Sequence, residues 1–303
     1  MTPPPSRRRV VGLVLVGSVL TSFSAIFFAL SDTTPVVGAL YRMIYSLPFL
    51  VVMVWVRRRR DTRTTRERLL AGLAGVFLAV DLFAWFASIE WIGAGLATLI
   101  ANAQVIIVPI ATWAMFRERP GPSVLIATVP ALGGLALISG LGRPESFGTR
   151  PVLGVLVGMM AALLYSAFLI TFRRSNRRLA PAAGPMLDVT IGAAVTAAIV
   201  AIATHADVRP AAPGHWWLVA MALAGQVMGW TLISYALPRL EAAATSFAIV
   251  LQPTLTLIWG RVFFEEIPST VQLLGVGVVW STIAYVVTRR QSGRVPDHSA
   301  SSA

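Results

Sequence analysis

The chain consists of long apolar stretches separated by short polar or basic ones. Ten of the stretches have about 20 residues, the length that an α-helix needs to cross a hydrocarbon core of about 30 Å. We therefore expect an all-α integral membrane protein with ten transmembrane helices. The predicted spans, numbered in chain order, are residues 10–30, 35–56, 69–89, 93–116, 123–141, 152–172, 182–203, 216–237, 242–264 and 269–288.

The first span directly follows a polar and basic head, residues 1–9, so alone it resembles a secretory signal peptide. It continues beyond the possible cleavage site near Ala25, and nine further spans follow. We therefore expect an uncleaved first helix. The polar tail, residues 289–303, has the composition of a disordered segment.

A weak internal repeat relates the two halves of the chain. Residues 93–118 recur without a gap as residues 241–266, so that Gln104 falls on Gln252. Each half contains five spans, and an odd number means that the second half enters the membrane with the opposite polarity.

The expected domains are therefore two inverted five-helix repeats, residues 10–141 and 152–288, joined by a linker at residues 142–151. Inverted repeats are common in secondary transporters, which place their substrate sites near the membrane midplane.

Composition agrees with a membrane protein. Only 13% of the 303 residues are charged, against about 25% in soluble proteins. The net charge is +12, but the basic residues lie between the spans rather than in one stripe, so no nucleic-acid partner is expected. The chain has no cysteine, which excludes a thiolate metal site, and we expect no metal and no cofactor.

The arginines predict the orientation. With the N-terminus inside, twenty arginines lie on the cytoplasmic side and three on the outer side, namely Arg143, Arg150 and Arg209. By the positive-inside rule, both termini are expected in the cytoplasm of a multi-pass protein of the cell inner membrane.

Polar residues within the spans are the candidate pathway residues. Gln104 and Gln252 lie near the midplane, where an amide must face protein or water rather than lipid. They either line a pathway or form a hydrogen bond between helices. Asn102 lies about 200° around the helix from Gln104, so only one of these two is expected to point into a cavity.

Other candidates share helix faces. They would give aromatic walls and polar contacts suited to a neutral or aromatic amino acid, or else they pack between helices. The faces contain Thr245, Ile249, Gln252 and Thr256 on span 9, Ala97, Ala101, Gln104 and Val108 on span 4, Asp81, Trp85 and Ser88 on span 3, and Gln226, Trp230 and Ser234 on span 8, with Tyr165 on span 6.

Charged residues within the spans have two interpretations. Arg42 and Asp81 both lie about 10 to 12 Å deep. They either form a buried ion pair between spans 2 and 3, or Asp81 accepts a proton or a substrate amine. Asp188 has no evident basic partner and either contributes to coupling or reaches water. Arg261 and Glu265, one turn apart, are expected to pair locally.

The glycines of spans 5 and 10 permit close helix packing. Gly133, Gly134, Gly275 and Gly277 make these spans candidates for scaffold or dimer contacts, with a monomer or weak homodimer expected.

The sequence resembles the drug/metabolite transporter superfamily, specifically proteins with two EamA-type domains. The resemblance rests on ALYRMIYSLP at residues 39–48, on residues 82–120 and on residues 234–268. It implies ten helices, cytoplasmic termini and a central cavity lined mainly by spans 1, 3, 4, 6, 8 and 9. Val105 stands where span 9 has Pro253, which leaves open whether span 4 has the family kink.

The resemblance also implies a function. Bacterial relatives export amino acids and other small metabolites, whereas organellar relatives exchange sugar phosphates or nucleotide sugars. The small multidrug exporters use a glutamate in helix 1, and residues 10–30 contain no acidic residue. We therefore expect a permease that works by alternating access and exports small metabolites, amino acids first. Sugar phosphates, nucleosides and drugs are the alternative solutes.

A membrane-embedded enzyme or sensor is the other class considered. The chain has no HExxH, GxSxG, P-loop or dinucleotide-binding motif. His205, His215 and His298 are predicted in loops or the tail. We therefore expect no enzyme, and the predicted partners are a small-molecule substrate and the lipid bilayer.

Overall fold

The computed structural model describes residues 5–57, 61–139, 150–177, 181–209, 213–265 and 267–288. Helices account for almost all of this part of the chain. They are α1 (Arg7–Ser31), α2 (Pro35–Arg57), α3 (Thr65–Ala101), α4 (Gln104–Phe116), α5 (Pro122–Ser139), α6 (Pro151–Ser175), α7 (Ala183–Ala203), α8 (Gly214–Met221), a π-helical segment (Ala222–Gly229), α9 (Trp230–Ala236), α10 (Ala242–Ile249), α11 (Leu251–Phe264) and α12 (Thr270–Thr288).

Within the described residues, nine helical stretches are long and apolar enough to cross a membrane, and α12 adds a shorter apolar helix. The predicted all-α membrane fold is confirmed. We call the end of the bundle where α1 begins and α12 ends the terminal face, and the other end the opposite face. The linker and the tail lie outside the described residues.

Helix α3 contains span 3 and the first part of span 4. Its 37 residues would extend about 55 Å if straight. Ser88 and Ile100 both adjoin Gly158, where an added Cβ would lie 2.8 Å from Ser88 Oγ and 3.2 Å from Ile100 Cγ2. Twelve residues of straight helix would separate them by about 18 Å. The chain therefore reverses direction between them, as the predicted boundary between spans 3 and 4 requires, although its backbone stays helical through the bend.

Span 9 breaks near its middle. Helix α10 ends at Ile249, and the N–H of Val250 donates to the Phe247 carbonyl at 3.2 Å, a tighter i→i−3 bond. Pro253 has no N–H, so the Ile249 carbonyl lacks its i→i+4 donor. The predicted continuous helix is therefore two helices.

Span 4 breaks at the equivalent position without a proline. The N–H of Ala103 donates to the Ile100 carbonyl at 2.9 Å, and Asn102 Nδ2 donates to the Thr98 carbonyl at 2.8 Å. The Thr98 carbonyl also accepts from the Asn102 N–H at 3.1 Å, so the asparagine side chain adds a second bond to it at the break, where Val105 stands in place of the proline. The kink that the sequence left open in span 4 is present.

The two spans also end alike. Arg117 after α4 and Glu265 after α11 occupy equivalent repeat positions, and both adopt left-handed backbone angles, with φ of 59° and 57°. The residue equivalent to Glu118, at position 266, lies outside the described residues. Arg261 bonds the Glu265 carbonyl oxygen at 3.1 Å. The predicted local pairing of Arg261 with Glu265 is therefore made to the Glu265 backbone carbonyl.

The π-helical segment lies inside span 8, which the sequence predicted as one α-helix. Its wider turns let Gly225 and Gly229 approach α1 closely. An added Cβ would lie 2.3 Å from Ser24 Oγ at Gly225 and 2.6 Å from Thr21 Cγ2 at Gly229. Such segments often occur at functional sites, and this one contains Gln226.

Helices α5 and α12 pack against each other through two of the four predicted glycines. An added Cβ at Gly134 would lie 2.9 Å from the Gly275 carbonyl oxygen, and one at Gly275 would lie 2.6 Å from that of Gly134. Gly133 and Gly277 have nothing within 4 Å. The scaffold contact therefore depends on one glycine from each helix.

Candidate functional site

A cavity of about 1010 Å³ lies between the two halves. It reaches the opposite face, where its lining residues Pro35 and Glu90 are exposed. Its other end lies near Tyr165, Trp230 and Ile249, and the lining includes no residue from the helix ends at the terminal face. The cavity is therefore open on one side.

Most of the predicted site residues line this cavity. Helix α2 contributes to the wall, although the resemblance implied mainly spans 1, 3, 4, 6, 8 and 9, and span 6 contributes only Tyr165. The predicted residues in the wall are Arg42, Asp81, Trp85, Asn102, Gln104, Tyr165, Trp230, Gln252 and Thr256.

Asn102 and Gln104 both belong to the cavity lining, and the Asn102 side chain bonds the Thr98 carbonyl. The angle of 200° assumed a continuous helix, and the break at Asn102 and Ala103 removes that assumption. Helix α4 begins at Gln104 itself.

Among the described residues, the two midplane amides make no hydrogen bond between helices. Gln104 is 1% exposed, and its Oε1 is buried without a partner. The Nε2 of Gln252 is also buried without a partner. A buried amide without a partner carries a substantial desolvation cost. Both residues line the cavity, so a small side-chain rotation would let these atoms bond a ligand or water there.

Arg42 and Asp81 do not form the buried ion pair that was one of the two interpretations. The Nε of Arg42 instead donates to Gln226 Oε1 at 3.1 Å, because the π-helical segment brings this amide to α2. Asp81 is 6% exposed and makes no hydrogen bond or ion pair with another described residue. An arginine and an aspartate therefore line the same cavity without forming an ion pair.

Gln226 itself lies behind the wall rather than in it. It is fully buried, and its Nε2 donates to Thr190 Oγ1 of α7 at 3.2 Å. Ser234 and Ser88, from the same predicted faces, are also buried, and they bond the carbonyls of Ala182 and Gly154. These polar side chains hold helices together.

Asp188 does not lie in the cavity either, and the expectation that it lacks a basic partner is wrong. Arg63, from the loop before α3, lies 2.8 Å from Asp188 and 2.9 Å from Asp61. Asp188 lies only six residues from the start of span 7, so a loop that folds back can reach it. The predicted span boundaries do not show whether a loop does so. This cluster joins the two halves at the terminal face.

The electrostatics of that loop favour ionised Asp61. Burial alone raises the pKa of Asp61, but its hydrogen bonds to Arg63 and the charges of Arg63 and Arg68 outweigh burial and lower the pKa. The carboxylate therefore stabilises the folded loop when ionised.

A second ionic contact closes the terminal face. Arg173, near the end of α6, donates from one nitrogen to both carboxylate oxygens of Glu118 at 2.8 Å. Arg174 lies over the Phe116 ring at 4.8 Å. Burial, followed by the charges of Arg174 and Arg173, lowers the pKa of the neighbouring Arg177. The halves thus meet through charged contacts on the side where the cavity is closed.

Aromatic residues form one wall near the cavity opening. The Phe86 ring lies 5.2 Å from that of Phe28 and 5.1 Å from that of Trp85. Sequence reasoning missed the two phenylalanines and Ser24, whose Oγ is buried without a partner. For Ser24 a signal existed, because Phe23-Ser24-Ala25 is echoed by the Tyr-Ser-Ala sequence at residues 165–167.

Of the two histidines that the structure describes, neither lines this cavity. His215 was expected in a loop but lies in the first turn of α8 and hydrogen-bonds the Tyr45 hydroxyl. It also meets the Tyr41 ring edge-on at 4.6 Å. This cluster ties α2 to α8 near the opposite face.

A model of the EamA-like transporter family matches residues 8–140 and again residues 152–288. The chain belongs to this family. The predicted superfamily is confirmed, and the two matches agree with a duplicated chain. The protein is therefore a multi-pass membrane transporter rather than a member of an enzyme family, and its small-molecule substrate crosses the bilayer.

Curated relatives of this EamA-like transporter are distant. It is 20% identical to an uncharacterized transporter, YxxF, of Bacillus subtilis over 94% of this chain and 89% of the relative. It is 23% identical to the threonine/homoserine exporter RhtA of Escherichia coli K12 over 87% of each chain. A protein of known crystal structure matches with a TM-score of 0.75 at 19% identity, over 92% of this chain and 96% of the other. This last similarity supports the fold.

Proposed function

We propose that this transporter exports small organic metabolites across the cell inner membrane, with amino acids the leading substrates, by alternating access. The cavity carries the proposal. It ends between the two repeats, opens to one face and has a volume of about 1010 Å³, enough for a small metabolite. Charged contacts join the halves on the closed side, where opening would require them to separate.

The broken helices support a substrate site at the midplane. Interrupted spans expose helix ends and polar groups to the site in many secondary transporters. Here spans 4 and 9 break at equivalent positions, beside Gln104 and Gln252, whose amides have unpartnered atoms. The exporter of threonine and homoserine among the relatives favours amino acids as the first solutes to test.

We propose that the terminal face is cytoplasmic, so that the cavity opens outward. Because the chain has no cysteine, single cysteines report their side of the membrane. A membrane-impermeant maleimide should label Asp207→Cys, exposed after α7, in intact cells, and Arg66→Cys, exposed at the start of α3, only after permeabilisation. The reverse labelling pattern would overturn this orientation.

Transport by purified protein tests the function. Proteoliposomes loaded with a mixture of amino acids, sugars, sugar phosphates and nucleosides are expected to lose neutral amino acids selectively, as measured by mass spectrometry of the external medium. Liposomes that contain the same solutes but no protein give the leak rate. The double variant Gln104→Leu with Gln252→Leu, which removes both midplane amides at similar side-chain size, should reduce the protein-dependent rate roughly tenfold or more.

Two results would contradict the proposal. Selective release of sugar phosphates or nucleosides would assign the protein to another solute class. Release of no solute above leak, from protein whose helical circular dichroism is intact, would refute amino-acid export.

A further inference from the structure

The cavity wall contains an arginine and an aspartate that do not pair with each other. Three charged residues line it among the residues described, and Glu90 is exposed at the opening. The other two, Arg42 and Asp81, lie deeper and do not pair with each other. Charges withdrawn from water are costly unless they are paired. A ligand with both charges could neutralise them together.

Arg42 is held so that its outer nitrogens stay available. Its Nε donates to Gln226, which in turn donates to Thr190, and the Thr190 hydroxyl donates to the Met186 carbonyl at 2.8 Å. This chain of bonds connects α2 through the π-helical segment to α7. The two terminal nitrogens of Arg42 donate to no other described residue, and a guanidinium presents such a pair of donors to one carboxylate.

Arg42 and Ser24 both line the cavity, and Gly225 packs beside them. An added Cβ at Gly225 would lie 3.6 Å from a terminal nitrogen of Arg42 and 2.3 Å from Ser24 Oγ. A larger residue here would therefore displace α1 from this part of the wall.

Asp81 supplies the complementary charge on α3. Its carboxylate is nearly buried, and its one-turn neighbour Trp85 lines the same cavity. Arg42, Asp81 and Tyr165 all line this one cavity. The aromatic wall of Phe28, Trp85 and Phe86 lies between these residues and the opening.

We propose that the cavity binds neutral α-amino acids as zwitterions, with the α-carboxylate on Arg42 and the α-ammonium on Asp81. The inference rests on the proposed amino-acid export and adds how the solute is recognised. The side chain of the solute packs on the aromatic wall. A doubly charged phosphate ester would be repelled by Asp81 and a cationic drug by Arg42, so this pair of side chains selects against sugar phosphates and cationic drugs.

Zwitterion recognition can be tested on the wild-type protein by competition between matched ligands. Uptake of labelled L-phenylalanine into phenylalanine-loaded proteoliposomes is measured against three competitors. They are unlabelled L-phenylalanine, L-phenylalaninol, which lacks the carboxylate, and 3-phenyllactate, which has a hydroxyl in place of the ammonium. Each analogue should compete roughly 10- to 100-fold more weakly than the amino acid, because it leaves one buried charge unpaired.

The variants assign each end of the ligand. Arg42→Gln should abolish the preference for phenylalanine over phenylalaninol and retain the preference over phenyllactate. Asp81→Asn should abolish the preference for phenylalanine over phenyllactate and retain the preference over phenylalaninol. Arg42→Lys, which keeps the charge, should retain part of its preference. Glu90→Gln, which removes a carboxylate at the opening of the same cavity, is the control and should leave both preferences unchanged.

The outcomes separate the two proposals. If wild-type protein transports phenylalanine but both analogues compete equally well, zwitterion recognition is refuted while amino-acid transport stands. If it transports other solutes but none of the amino acids, both proposals fail. The wild-type competition decides the inference even if a charge variant does not fold, and a variant that folds but changes both preferences equally would overturn the assignment of Arg42 and Asp81.

Discussion

Replacing Gly75 with alanine is expected to remove most of the folded protein. At this position α3 crosses α7 with their backbones in contact. An added Cβ would lie 2.0 Å from the Val189 carbonyl oxygen and 2.7 Å from the Ala193 nitrogen. The α7 side is equally close, since a Cβ at Gly192 would lie 2.1 Å from the Gly72 carbonyl oxygen. Neither backbone can move aside locally, so the helices must separate, at a cost of about 3 kcal/mol or more.

The measurement is thermal unfolding in detergent, with the yield of monodisperse protein as a second readout. Gly133→Ala and Gly277→Ala are matched controls, because each makes the same change in a helix where nothing lies within 4 Å. They should unfold at or slightly above the wild-type temperature, since alanine is the better helix former. Equal unfolding temperatures for Gly75→Ala and wild type would contradict the contact between α3 and α7.

Arg63→Gln is expected to have the second large effect. The Arg63 side chain is 1% exposed and bonds Asp61 and Asp188. Its loss leaves two carboxylates facing each other in a largely buried site, which costs about 3–5 kcal/mol when one partner of a buried pair is removed. Arg68→Gln is the control, because Arg68 is 52% exposed and lies 3.5 Å from Asp61. It should change stability by about 0.5 kcal/mol or less.

The pH dependence distinguishes a lost charge from lost packing. In wild type the pKa of Asp61 lies below its usual 3.8, so its stabilising contribution is present above that pH and is lost as pH falls through the lowered pKa. Without the Arg63 side chain, Asp61 keeps the charge of Arg68 but loses its nearest charge and its side-chain hydrogen bonds, so its pKa is higher than in wild type. The ionised carboxylate then stabilises the fold less, so Arg63→Gln should lose less stability than wild type as pH falls toward and below about 4. A variant with the wild-type pH profile would indicate that packing alone was lost.

Sequence reasoning predicted the parts of the site that depend on one helix. Polar side chains at membrane depth must face protein or water rather than lipid, which selected Gln104, Gln252 and Asp81. Trp85 was selected because it shares a helix face with Asp81. The structure places all four in the cavity wall. A helix-face argument assumes a regular helix, and that assumption does not hold at Asn102, where the helix is interrupted.

The partners of the charged residues could not be predicted in this way. The sequence suggested that Arg42 might pair with Asp81 on the next span and gave Asp188 no partner. In the structure Arg42 bonds Gln226, 184 residues away along the chain, and Asp188 bonds Arg63 from a loop. Such bonds depend on which helices become neighbours, and helical periodicity within one span contains no information about neighbours.

By itself the sequence determined that the chain is an all-helical membrane protein with two related halves, because bilayer thickness limits the length of an apolar helix and a repeat survives in the residue order. Only the tertiary structure decided where the helices break and which charges stay unpaired. Asn102 ends a helix by bonding the backbone, and a π-helical turn carries Gln226 to Arg42. Both depend on packing between the halves, which leaves Arg42 and Asp81 apart in one cavity.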